Sequence, residues 1–182
     1  MHSIFAAARG AFVLLAFMAS LPASACWEQA AQHHGVPADL LYAIASVESG
    51  LNPKAVNRSH LGRTDSYDIG LMQINSRHLP KLARHGITES RLYEPCINLD
   101  VGAWMLSELF ARRGVSWDSV GAYNAACTQL KGNACSEARA RYAWKVYRKL
   151  PSIRRNTVAG RNAPSLPAAS ATPLLLAVRV AP

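Results

Sequence analysis

Glycines and prolines cut the stretch between Cys26 and Leu150 into short apolar-periodic segments, and no strong run of strand-type alternation interrupts them. Trp27 to His34 reads as a short helix closed by Gly35. Pro37 then opens a second, Ala38 to Ser49, with Leu40, Leu41, Ile44 and Val47 on one stripe. Gly50 and Pro53 end it. Asn52 to Tyr67 is polar and loop-like, with room for one small hairpin, and Gly70 to Asn75 is short and extended or irregular. Ser76 to His85 looks helical up to Gly86. Asn98 to Arg113 is the best long helix. Leu99, Leu106, Leu109 and Phe110 share its face, Gly102 and Ala103 permit close packing, and Gly114 ends it. Trp117 to Asn124 and Ser136 to Lys149 complete the set, stopped by Pro151. This punctuation predicts one irregular all-α domain of five or six helices over residues 26–150.

The two ends differ from this core. Residues 1–25 carry Arg9, an apolar-rich stretch from Ala11 to Leu21, the breaker Pro22 and the small-residue triplet Ala23-Ser24-Ala25. That order is a secretory signal peptide with its cleavage site, and the apolar stretch is too short to span a bilayer. Residues 151–182 carry Arg154, Arg155, Arg161 and Arg179, no acid, and many Ala, Pro and Ser. Such a segment buries too little apolar surface to offset its ordering entropy, so a basic, disordered tail is expected. The formal net charge is +9, and with the tail set aside the core is only mildly basic. A basic surface suits an anionic polymer. Export and the lack of a Lys/Arg block interleaved with aromatics argue against nucleic acid. No stable membrane span is expected.

Export implies an oxidising compartment and therefore disulfides. Cys127 and Cys135 enclose a short loop containing Gly132, which leaves Cys26 with Cys96 at the start of the long helix. Four cysteines allow three pairings, and spacing alone does not choose among them. The Cys127–Cys135 spacing is not a zinc pattern.

Among the carboxylates Glu48 stands out. It falls near Leu41 and Ile44 on the apolar stripe and sits in the last helical turn. Burial and the negative end of the helix dipole both disfavour its charged form, the condition for a general acid near neutral pH. The competing reading is an exposed helix-end glutamate. His33, His34, His60, His78 and His85 show no metal-ligand spacing and read as surface residues. No nucleophile elbow, phosphate loop or dinucleotide fingerprint is present.

Four separated motifs now bear on function. They are Ile44-Ala45-Ser46-Val47-Glu48-Ser49-Gly50, Gly70-Leu71-Met72-Gln73-Ile74-Asn75, Gly121-Ala122-Tyr123-Asn124-Ala125, and Arg141-Tyr142 with Lys145-Val146-Tyr147. In that order, from about Cys26 to Leu150, the chain resembles the lytic transglycosylases of the goose-lysozyme-like superfamily, in particular the small exported IagB-like type associated with secretion systems and pili. Cys127 stands where many relatives carry glycine after the A-Y-N-A segment.

The resemblance implies a lysozyme-like domain with a long substrate cleft and cleavage of the β-1,4 bond between N-acetylmuramic acid and N-acetylglucosamine in peptidoglycan. It implies Glu48 as the one catalytic residue, acting first as acid and then as base, like the buried glutamic acid of lysozyme. The product would be a 1,6-anhydromuramyl end. Ser49, Met72, Gln73, Tyr123, Asn124 and Tyr142 are the expected substrate-binding residues, with plain core packing the alternative for Met72 and a helix-face tyrosine for Tyr142. No cofactor and no metal is called for. The implied setting is the periplasm, with type III or type IV secretion or pilus components as possible partners. Two other functions compete. Asp65 or Asp68 could activate water and make the enzyme a hydrolytic muramidase, although a turn role fits Asp. Or the site is vestigial, and the protein binds the wall as an assembly factor.

Overall fold

The computed structural model describes residues 23–151. Of the expected leader (1–25) residues 1–22, and of the expected tail (151–182) residues 152–182, lie outside the described residues. Seven α-helices occur among the described residues: α1 Ala23–His34, α2 Ala38–Glu48, α3 Leu61–Thr64, α4 Leu79–Ala83, α5 Pro95–Arg113, α6 Trp117–Asn124 and α7 Gly132–Tyr147. Short 3-10 turns at Ser76–His78 and Ser90–Tyr93 precede α4 and α5.

The mostly helical architecture read from the sequence is observed, with α1, α5 and α7 starting earlier than expected, at Ala23, Pro95 and Gly132, and with two larger differences. The polar stretch after Asn52 holds one strand and the small helix α3, and with the residues that follow, up to Asn75, it forms a three-stranded antiparallel sheet. Its strands are β1 (Val56–Asn57), β2 (Asp68–Ile69) and β3 (Ile74–Asn75), in spatial order β1-β2-β3. Val56 pairs with Ile69, and Asp68 with Asn75. Strands of two residues leave no alternation to read. The expected Ser76–His85 helix is split between a 3-10 turn and α4, with Pro80 near the start of α4. Pro lacks the N–H that a continuous helix would need there.

The local signals that place the helices are ordinary. Pro37 precedes α2 with an extended backbone, and its carbonyl accepts from the amides of Leu40 and Leu41, both at 3.1 Å. Gly50 and Leu51 then adopt positive φ and turn the chain out of α2. Pro95 stands at the first turn of α5, and the Gly114 amide closes that helix on Phe110 O at 2.8 Å. Ser116 caps α6 by accepting from the Ser119 amide at 3.2 Å.

The core lies where α2, α5, α6 and α7 converge around Leu41, Ile44, Leu99, Leu106, Val120 and Val146, all fully buried. Two glycines permit close approach. A Cβ on Gly102 of α5 would stand 2.7 Å from Met72 Cγ, so only glycine lets the Met72 side chain lie flat on that helix. A Cβ on Gly121 of α6 would meet Arg139 O of α7 at 2.6 Å.

Both disulfides pair as the local-loop reading expects. Cys26–Cys96 joins α1 to α5 across 70 positions, and Cys127–Cys135 closes a loop between α6 and α7. In the chain-entropy account, a bridge over the longer interval contributes about 4 kcal/mol.

Candidate active site

The last residue of α2 is placed by the apolar stripe that buries the helix. Leu41, Ile44 and Ala45 are inaccessible to solvent, and Glu48, one turn beyond Ile44, continues that face to the edge of the core. There it meets a cavity of about 770 Å³. The sheet walls one side of this cavity with Asn57, Asp68 and Asn75, and α6 with the following loop walls another with Tyr123, Asn124 and Cys127 to Leu130.

Tyr142 of α7 is buried and donates its hydroxyl to Glu48 Oε1 at 2.5 Å. Burial raises the Glu48 pKa from 4.5 to about 7. The Tyr142 hydrogen bond pulls it down, the Asp68 charge pushes it up, and Lys145 pulls it down. Loss of hydration is therefore the largest influence, and the carboxyl is poised to hold or release a proton near neutrality. Tyr142 and Tyr123 are themselves raised above the usual phenol range, first by burial and then by the Glu48 charge, so both remain hydroxyl donors.

The Gly70–Asn75 segment is fixed by a buried asparagine. Asn98 of α5 accepts from the Met72 amide at 2.7 Å and donates to Ile69 O at 2.9 Å and Leu92 O at 2.8 Å. Gly70 has φ +75°, and a Cβ there would lie 2.4 Å from Asn98 Nδ2. Tyr123 donates to Met72 O at 3.1 Å, and Ser49 donates to Leu71 O at 2.7 Å. Three elements thus grip one loop, so its backbone is set with little freedom.

The predicted residues separate into groups. Glu48, Gln73, Tyr123 and Asn124 all line the cavity. Gln73 has φ +49°, and its amide donates to Gly70 O at 2.8 Å, leaving its carbonyl oxygen free for other donors. Tyr142 stands behind Glu48 rather than on the cavity wall. Ser49 uses its hydroxyl to tie the end of α2 to the loop. The Met72 side chain is wholly buried against Gly102.

Asp68 lines the same cavity as Glu48, whereas Asp65 is an exposed left-handed cap at the end of α3. Asp68 Oδ1 accepts from Asn75 at 2.7 Å, and its Oδ2 lies 3.6 Å from His60 Nε2. Asn98 escaped the sequence reading, although a signal existed: it shares the i, i+4, i+8 stripe of α5 with Gly102 and Leu106, and a polar residue on a buried stripe needs partners. The wall formed by Cys127 to Leu130 had no such signal, because nothing local points a surface loop toward a distant helix end.

The site is thus a largely buried glutamate, hydrogen-bonded by Tyr142, on the wall of a cavity in a helical domain. Residues 25–146 match the family described as the transglycosylase SLT domain, and the chain belongs to that family. It is 43% identical over 132 residues to "Invasion protein IagB" of Salmonella typhimurium, covering 70% of this chain and 78% of that protein. It is 38% identical over 142 residues to "Protein IpgF" of Shigella flexneri, covering 78% and 89%. In fold it is similar to the lytic transglycosylase Slt of Pseudomonas aeruginosa, solved as the inactive mutant E503Q, with a TM-score of 0.56 at 20% identity over 75% of this chain. This chain spans 24% of that larger one. The likeness establishes the lysozyme-like helical fold.

Proposed function

We propose that the protein is a peptidoglycan lytic transglycosylase. Neutral Glu48 protonates the oxygen of the β-1,4 bond between N-acetylmuramic acid and N-acetylglucosamine as the bond to C1 breaks. The glucosamine unit leaves as an alcohol. The Glu48 carboxylate then takes the proton of the muramyl C6 hydroxyl while that oxygen bonds to C1. The product is a 1,6-anhydromuramyl end, no water is consumed, and Glu48 is neutral again. One group serving as acid and then base needs a pKa near the working pH. The observation that carries this reading is Glu48 on the cavity wall with its pKa raised to about 7 by burial.

Gln73 and Asn124 supply amides for sugar hydroxyl and acetamido groups, and Tyr123 supplies a sugar-facing ring. Ser49, Met72 and Tyr142 act by holding the loop and the acid in place. The substrate places the protein on the cell-wall side of the membrane, in the periplasm after export. The proposed role is to open the wall locally for a secretion apparatus or pilus; the relative named "Invasion protein IagB" links the family to invasion. The mild basic charge of the core suits an anionic wall polymer.

A second reading is favoured by Asp68, which lines the same cavity and raises the Glu48 pKa. With a second carboxylate the site could direct water to C1 and act as a hydrolytic muramidase. The experiment is digestion of purified sacculi by wild type and Glu48→Gln, with mass spectrometry of the released ends. Anhydro ends from wild type alone support transglycosylation, and hydrated reducing ends support hydrolysis. Equal wall clearance by Glu48→Gln would remove Glu48 from the chemistry in both readings.

A further inference from the structure

The end of α1 holds a cluster that the cleft does not use. His33 and His34 are consecutive, and neighbouring residues of a helix normally diverge by about 100°. Here the longer reach of one ring atom compensates. His33 Nδ1 lies 3.1 Å and His34 Nε2 2.9 Å from the same oxygen, Asp100 Oδ1 on α5. The two rings stand 4.3 Å apart, centroid to centroid. Among the described residues this is the one group of three such side chains whose potential ligand atoms all lie within 4.8 Å of one another.

We propose that His33, His34 and Asp100 form a binding site for a divalent transition-metal ion of the zinc type, bridging α1 to α5. With metal–ligand bonds of about 2.0–2.1 Å, neighbouring donor atoms lie roughly 2.8–3.0 Å apart in an octahedral shell and roughly 3.3–3.4 Å apart in a tetrahedral one. The two nitrogen–oxygen separations fall within that range and the two nitrogens lie within 4.8 Å of each other, so ring rotation brings the three donors onto one ion. Two imidazoles and one carboxylate are a borderline-soft donor set, which selects zinc, cobalt, nickel or copper over magnesium and calcium. The site is open to solvent: His33 is 68% exposed and Asp100 42%, against 13% for His34. An ion can therefore reach it and complete its shell with water. The C-terminal end of α1 adds partial negative charge that favours a cation.

The position gives the ion a consequence. Cys26–Cys96 already ties α1 to α5, and the ion adds a second tie between the same helices. Asp100 stands between Asn98, which fixes the Gly70–Met72 loop, and Gly102, which receives Met72. Bound metal thus stiffens the helix on which the cleft floor rests, and the proposal holds whichever reaction the cleft performs.

The test is calorimetric titration of Zn2+ into tag-free, chelator-stripped protein, with Co2+ absorption and thermal melting alongside. Wild type is expected to take up one Zn2+, to ignore Mg2+, to give a Co2+ visible band and to melt at higher temperature with Zn2+ than with chelator. His33→Ala and Asp100→Asn both alter exposed side chains and should fold, as circular dichroism will check. Each is expected to weaken Zn2+ at least tenfold and to abolish the Co2+ band. Absence of saturable Zn2+ binding, or unchanged affinity in both variants, overturns the proposal. So does binding lost in His60→Ala but kept in His33→Ala, since that would move the ion to the His60–Asp68 pair in the cleft.

Discussion

The Tyr142 hydroxyl donates to Glu48 Oε1 across 2.5 Å, joining the last residue of α2 to α7 over 94 positions of chain. The bond stabilises the carboxylate, while burial of the pair and the Asp68 charge oppose it. The working pKa of Glu48 is the balance of these influences, and each can be removed separately.

Tyr142→Phe removes the donor that lowers the Glu48 pKa while leaving a ring to fill the space. The pKa rises further. A hydrogen bond to a charged group is worth about 1.5–3 kcal/mol, so the shift is roughly one to two pH units. Because the neutral form is the acid, the alkaline limb of the pH–activity profile moves up by that amount. A limb that stays in place, or moves down, contradicts the assignment.

Asp68→Asn acts with the opposite sign. Removing a neighbouring negative charge lowers the Glu48 pKa, so the alkaline limb moves to lower pH. In the transglycosylase account the variant still releases anhydro ends. Complete loss of turnover with an unchanged substrate affinity would instead favour the hydrolytic reading.

Glu48 also links stability to pH. Its folded pKa, about 7, lies above the unfolded value of 4.5, so the folded state binds the proton more tightly. The contribution of this group to stability is therefore fully present below about pH 4.5 and is lost as pH rises toward and through 7, a change of about 3 kcal/mol. Glu48→Gln escapes that loss. Denaturant melts should find it more stable than wild type at pH 8, with the gap closing at pH 4. A variant less stable than wild type at pH 8 would show that the carboxylate is well accommodated.

Asn98→Ala strands the Met72 amide and the carbonyls of Ile69 and Leu92 in a buried place. Unsatisfied groups of this kind cost about 1–3 kcal/mol each when water cannot reach them, so a loss of roughly 3 kcal/mol or more is expected in denaturant unfolding. Activity should fall in the surviving folded fraction, because the loop carrying Gln73 loses its anchor. A loss under about 1 kcal/mol would mean that water replaces the asparagine.

The longer helices were legible because their signals are local. Pro37 and Gly50 bound α2, Gly114 closes α5, and α6 was read from Trp117 to Asn124 as it stands. Glu48 on an apolar stripe could be read the same way. Helix α3 is not legible this way, since four residues carry no stripe, and α7 starts at Gly132, inside the Cys127–Cys135 loop and ahead of the expected Ser136. The contacts that make the site are long-range. Neither Tyr142 on Glu48 nor Asn98 on Met72 follows from any periodicity, and the convergence of His33 and His34 on Asp100 defeats the spacing rules for metal ligands. The motifs that carry the family resemblance located Glu48, Gln73 and Tyr123 without revealing which atoms they touch.

The most direct measurement is the chemical form of the muramyl ends released from purified sacculi by wild type and by Glu48→Gln at equal concentration. The account predicts 1,6-anhydromuramyl ends from wild type and none above background from Glu48→Gln. Hydrated reducing ends from wild type, or anhydro ends from both proteins, would contradict it.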